Sequence, residues 1–227
     1  MKSIILGPRL KTAADMVRKG TKVADIGTDH AYLIAHLLVN NICSFGFACD
    51  INPNPLKKAQ ATIKENLLED RAKLILCDGL SGLSQDLAED FVIAGMGGET
   101  IISILDACNW SKDISKHYIL QPMTKASLLR KYLCEEGFEI EDETAVMDSG
   151  RIYTVMSVYY TGNKSRPNHL FCEIGKLSTK KDEASQEYIK NRAAAILKKA
   201  EGLARTDLES AKEIYKLHES VERCISC

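Results

Sequence analysis

The 227-residue chain has few aromatic residues (6%, with one tryptophan) and only five prolines. Neither charge is in excess: 30 Lys and Arg stand against 31 Asp and Glu, a formal charge of −1. That balance excludes a generally basic nucleic-acid coat but leaves room for a local basic patch. No apolar run approaches the roughly 18–20 residues of a membrane span. The N-terminal Ile4-Ile5-Leu6 stops at Gly7-Pro8-Arg9, too short for the core of a signal peptide. No membrane partner is expected, and a cytoplasmic monomer is the expected state. Paired cysteine motifs are scarce too. The eight cysteines (43, 49, 77, 108, 134, 172, 224 and 227) are scattered and read as buried free thiols. The one close pair, Cys224 and Cys227, has no second Cys or His pair at zinc-binding spacing, so no metal is expected.

What is present is ordinary globular composition, 45% apolar and 27% charged. The length suits one full domain of about 150 residues with an appendage. Residues 1–160 alternate short β-rich runs with helical patterns; residues 161–227 look helical, with 13 basic against 10 acidic residues. The polar stretch Thr161–Asn168 between them reads as a linker. The division expected is a catalytic unit over 1–160 and a coiled-coil unit over 161–227. In the first unit, strands over 22–26, 44–50, 72–77, 91–94 and 117–121 alternate with helices over 31–39, 53–67, 99–105 and 124–136, after an opening helix over 10–18. This pattern predicts a parallel sheet covered on both faces. Strands over 138–147 and 151–160, joined only by Asp148-Ser149-Gly150, must be antiparallel, because so short a loop cannot hold a crossover helix. The expected fold is therefore α/β: a class I, Rossmann-like methyltransferase sheet with a terminal antiparallel hairpin. In the second unit, Ile189, Ala193, Ile196, Ala200 and Leu203 step by four and three, as do Ala211, Ile214, Leu217, Val221 and Cys224. This is the seam of a coiled-coil hairpin of two short helices, the second opened by the capping box Thr206-Asp207-Leu208-Glu209.

Four loops follow strands at one sheet edge. Gly27, in Asp25-Ile26-Gly27-Thr28-Asp29, lets backbone approach a ligand. It is not the G-x-G-x-x-G fingerprint, and the Asp29 carboxylate would repel a pyrophosphate, which disfavours NAD. Asp50 ends its strand 23 residues later, where an acid can accept from both ribose hydroxyls; it could equally cap the helix at Pro53. Asp78 could accept from an adenine amino group with Gly79 against the ring, or the pair is a plain turn. Gly95-Met96-Gly97-Gly98 offers bare backbone to a substrate, or a tight turn into a helix. An Asn/Asp-Pro-Pro-aromatic motif is missing there, which argues against methylation of an exocyclic amine. Three ligand-suited loops at successive strand ends are unlikely by chance.

The strings Asp25-Ile26-Gly27-Thr28-Asp29-His30-Ala31-Tyr32-Leu33, Cys77-Asp78-Gly79-Leu80, Ile93-Ala94-Gly95-Met96-Gly97-Gly98 and Leu120-Gln121-Pro122 resemble the bacterial TrmK family of tRNA (adenine(22)-N1)-methyltransferases. The resemblance spans roughly residues 6–160, and the helical tail is similar in kind to the family's coiled coil. It implies S-adenosylmethionine as cofactor and tRNA as partner. Asp25, Gly27, Thr28 and Asp29 would hold the methionine end, Asp50 with Ile51 and Asn52 the ribose, and Asp78 and Gly79 the adenine. Gly95, Met96 and Gly97 would border the transferred methyl group. Met123 departs from relatives that carry Asn there, and it receives no role.

Adenine N1 has a free lone pair, so positioning is the catalyst's main task. The product ring stays cationic until it loses an N6 proton. Asp29 is the candidate acceptor, with pairing to the cofactor's ammonium as its equal alternative. Tyr32 and Met96 are candidate walls for the displaced base, although Tyr32 also suits simple packing. Arg9, Lys11 and Arg18 are candidate RNA contacts, and the tail lysines would extend the phosphate-contacting surface. Competing readings are a methyltransferase for another RNA base or a small molecule, a non-catalytic nucleotide-binding module, and an NAD-linked oxidoreductase.

Overall fold

The computed structural model describes residues 4–225, so Cys227 of the terminal cysteine pair lies outside the described residues. The strands are β1 (Lys22–Ile26), β2 (Phe45–Asp50), β3 (Ala72–Leu76), β4 (Asp90–Gly97), β5 (His117–Thr124), β6 (Phe138–Asp148) and β7 (Arg151–Tyr160). They form one sheet in the order β3-β2-β1-β4-β5-β7-β6. The first five are parallel, and β7 runs antiparallel to both β5 and β6. Helices α1 (Pro8–Asp15), α2 (Tyr32–Val39), α3 (Pro53–Glu65), α4 (Gly98–Asp106) and α5 (Ala126–Glu136) cover it.

Side chains alternate across a strand, and here each set meets its own helices. Ala24, Ile26, Phe91, Ile93, Tyr118 and Leu120 pack with Ile101 and Leu105 of α4 and Leu129 and Leu133 of α5. Val23, Val92 and Ile119 pack on the other face with α1, α2 and α3, through Ala13, Ile34 and Ile63 among others. Both faces are buried, which explains the unbroken apolar runs of β1, β4 and β5. The turn after β1 places Gly27 and an irregularity near the end of β4 places Gly95, at φ +80 and +81 respectively. Gly137, in the left-handed region, ends α5 as its sequence position predicts.

The helical tail is richer than a pair of short helices. Before α7 (Glu183–Leu203) and α8 (Leu208–Glu222) come α6 (His169–Ile174) and a 3-10 turn over Gly175–Thr179. Six residues of helix carry too few turns to leave a periodic signal. Helix α7 has 21 residues, so the hairpin is not short. Asp207 caps α8 as expected, its side chain accepting from the Ser210 amide at 3.1 Å. Ile189, Ala193, Ile196 and Val221 form the buried seam with Ile174. Nor is the join a free linker: Thr161 and Gly162 amides donate to Gly137 O, and the Ser165 amide to Cys134 O, each at 3.0 Å.

Behind the join lies a buried ion pair. Arg130 of α5 and Glu143 of β6 are both fully enclosed and 2.7 Å apart. The remaining Arg130 donors reach Cys172 O (2.8 Å), Glu173 O (2.9 Å) and the Tyr188 hydroxyl (3.1 Å). Glu143 also accepts from Thr154 at 2.5 Å and from the Lys176 amide at 3.1 Å. Every polar atom is matched, the condition under which enclosing two charges is tolerated.

Candidate active site

The carboxyl ends of β1, β2, β3 and β4 converge on Gly27. Gly27 and Thr28 amides donate to Cys49 O at 2.8 and 2.9 Å, which ties the first loop to β2. The Thr28 hydroxyl accepts from the Ala31 amide at 3.1 Å and shapes the entry to α2. Ala31 sits at φ 54, a strained conformation for alanine. A side chain on Gly27 would meet the Met96 methyl group at 2.1 Å, so the glycine makes room for Met96.

Two cavities open on either side of Gly27. One, of about 350 Å³, is lined by Asp50, Ile51, Asp78, Gly79, Met96 and Ile104 among others. Ile104 of α4 lies under Gly79, where an added Cβ would come within 2.9 Å of it. Apolar surface on the floor and a carboxylate at the rim is what a nucleoside needs: a dry surface for the ring and an acceptor for sugar hydroxyls. Asp50 also accepts from the Asn52 amide at 2.7 Å, just ahead of α3, whose N-terminus has no side-chain cap. Cys77 lines the same cavity; a hydrogen bond from Cys49 holds its thiol below the usual value.

The other cavity, of about 320 Å³, is lined by Arg9, Asp25, Thr28, Asp29, Tyr32 and Gly95 among others. Burial pushes the Asp25 carboxyl up to about 6, with the neighbouring Asp50 charge adding to the rise and a Thr28 hydrogen bond opposing it. Asp29 is exposed and pairs with Lys58 at 3.2 Å and His30 at 3.3 Å. The His30 and Tyr32 rings stack at 5.0 Å and 2°, and Tyr32 is 48% exposed. Tyr32 is therefore not a core residue.

Gln121, a motif residue with no expected role of its own, organises the β4 end. Its buried side chain accepts from the Gly95 amide at 2.9 Å and from Arg9 Nη1 at 2.6 Å. The strand ladder is irregular here, between Ala94, Met96 and Gly97, and such bulges re-aim a strand end. The candidate RNA contacts separate. Arg9 enters the cavity. Lys11 stays on α1, paired with Asp15. Arg18 goes to the opposite sheet edge, where its Nη2 lies 2.6 Å from the enclosed Asp90 and its guanidinium lies over the Tyr159 ring. The structure thus does not bring Arg18 to the site.

Residues 6–156 match the methyltransferase domain family. The chain belongs to that family. A curated tRNA (adenine(22)-N(1))-methyltransferase of Bacillus subtilis is 32% identical to it over 156 residues, 69% of this chain and 66% of the relative. Among solved methyltransferases, TrmK of B. subtilis superposes with a TM-score of 0.85 at 24% identity, over 98% of this chain and 100% of the other. TrmK of M. capricolum, solved with S-adenosyl-homocysteine, gives 0.82 at 25% identity, over 97% and 99%. Within the methyltransferase family, the tail as well as the sheet follows the TrmK fold.

Proposed function

We propose that the chain transfers a methyl group from S-adenosylmethionine to N1 of adenine 22 of tRNA, and that residues 1–160 do this while 161–227 form a helical appendage. The observation that carries this reading is the pair of cavities meeting at Gly27, one suited to a nucleoside and one open past stacked aromatic rings. The similarity to the B. subtilis enzyme supports the choice of acceptor.

Asp50, with the Ile51 and Asn52 backbone beside it, holds the ribose; Asp78 and Gly79 hold the adenine over Ile104. Asp25, Gly27 and Thr28 border the amino-acid end. The bound cofactor supplies an electrophilic methyl group. Met96, flanked by Gly95 and Gly97, lines the first cavity with its methyl group against Gly27. The acceptor adenine would enter beside Tyr32, which extends the His30 stack, with its N1 lone pair in line with the methyl group and no prior deprotonation; the methyl–sulfur bond would break as the N1–methyl bond forms, its electron pair leaving on sulfur. Alignment of this kind is worth ~7–11 kcal/mol. Asp29 faces the resulting cationic ring and can take its N6 proton; Lys58 pairs with the carboxylate at 3.2 Å.

The test is transfer of labelled methyl from S-adenosylmethionine to unmodified tRNA, with adenine 22 compared with a guanine substitution. Label mapped to N1 and lost on substitution is the expected result. Label retained moves the target; no label on any tRNA overturns the reading. Asp29→Asn separates its two roles: a fall in kcat at unchanged cofactor affinity assigns proton acceptance, and a raised cofactor Kd assigns ammonium binding.

A further inference from the structure

A groove runs away from the transfer point between the end of β5, the β6–β7 hairpin and α7. It comprises two adjoining cavities of about 230 and 600 Å³ that share Met123, Thr124, Ile152, Tyr153 and Asn191. It begins at the active-site wall: Thr124 pairs with Gly97 across the β4–β5 ladder. A Cβ on Gly98 would sit 2.6 Å from Lys125 O, so the loops after β4 and β5 touch through backbone. Lys125 itself is at φ 55 and reaches Glu99 at 2.5 Å.

The wall carries exposed thioether and aromatic surface among its polar groups. Met123 is 36% and Met147 45% exposed, with Tyr153 half-buried between the hairpin and α7. The rim is basic. Lys125 and Arg192 belong to it, although Glu99 and Glu173 hold them; Glu187 is the one acidic side chain lining the groove. Arg151, exposed at the hairpin turn, has no ion-pair partner among the described residues. Bases stack on aromatic and thioether surface while phosphates seek guanidinium groups.

We infer that this groove receives the RNA strand adjoining the methylated nucleotide, with bases against Met123, Met147 and Tyr153 and a phosphate on Arg151. The inference rests on the proposed tRNA activity. Its occupant follows from the ladder contact of Thr124 with Gly97, next to Met96 of the proposed transfer point, and from the unpaired cation at the rim.

Arg151→Glu, Met147→Glu and Tyr153→Ala in the full chain, assayed on unmodified tRNA, test it. The first two positions are exposed, so folding is preserved, and Tyr153→Phe controls for packing. Expected are a roughly tenfold or greater rise in KM for tRNA, an unchanged Kd for S-adenosylmethionine, and near-normal rates for Tyr153→Phe. For Arg151→Glu the log K against log salt slope should also fall by about one or more. A KM within twofold of a wild type that does methylate tRNA overturns the groove and leaves the activity standing. A changed oligomeric mass with unaltered tRNA kinetics assigns the groove to a second copy instead. A wild type that methylates no tRNA overturns both.

Discussion

At Asp25 the fold encloses a carboxyl beside a second acid, and its pH behaviour follows. The unfolded chain releases this proton near 3.8 and the folded chain near 6. Between those values the folded state holds more protons, so stability falls as pH rises through the window and is level above it. The gap is worth about 3 kcal/mol. Asp25→Asn should flatten urea-unfolding stability between about pH 4 and 6 and raise it at pH 8, while weakening cofactor binding. Asp50 lines the open cavity. Loss of a charged hydrogen-bond acceptor costs ~1.5–3 kcal/mol, so Asp50→Ala should weaken S-adenosylmethionine about 10- to 150-fold by calorimetry at unchanged melting temperature. Gly79→Ala should do both kinds of harm, since φ is +56 and Ile104 lies 2.9 Å from the new Cβ. One buried cluster needs the opposite reading. Ser157, His117 and Asp90 are linked at 2.9 and 3.0 Å, the distances of a hydrolytic triad, but Ser157 is only 6% exposed. With the nucleophile enclosed, the cluster serves to seat Arg18 and Asp90.

Among the elements, α5 and β6 carry the largest single risk to stability, because they enclose Arg130 and Glu143. Removing one partner of such a pair costs roughly 3–5 kcal/mol, so Arg130→Met should lower the melting temperature sharply. Gly175→Ala should do so without removing either charge, since a Cβ there would sit 2.0 Å from Glu143 Oε2. Which elements were legible in the sequence follows the same physics. β1 was readable to the residue, and the helices over 53–65 and 126–136 nearly so, because Pro53 and Gly137 punctuate them and both sheet faces are buried. The hairpin was readable because three residues cannot carry a crossover. Helix α6 was not, being under two turns long. The docking of the join was hidden as well, since turn-type residues look alike whether they bind α5 or water. In the site, strand-end glycines and acids announced the first cavity. Gln121 and Arg9 meet across 112 residues, and no local spacing encodes that meeting. Arg18 misled for the same reason: proximity along the chain to Gly27 did not survive the length of β1.

For the whole molecule, the net charge of −1 requires that RNA be met by a patch. Lys190, Lys198 and Lys199 are exposed on α7. Reversing Lys198 and Lys199 to Glu should weaken tRNA binding more at low salt than at high salt in a filter-binding titration. Excising residues 165–227 is the poorer experiment, since it strips Arg130 of Cys172 O, Glu173 O and Tyr188 and so unfolds what it means to compare. That same attachment has a geometric outcome. Helix α7 is about 30 Å of rod, clamped at its root by an enclosed guanidinium instead of swinging on a flexible tether. If the proposed tRNA lies along it, a clamped rod would measure like a caliper, fixing the distance between two parts of the substrate without stretching to a misshapen one. Discrimination among tRNAs would then fall on their folded shape, and a transcript that keeps the target adenine but loses its tertiary fold should be refused.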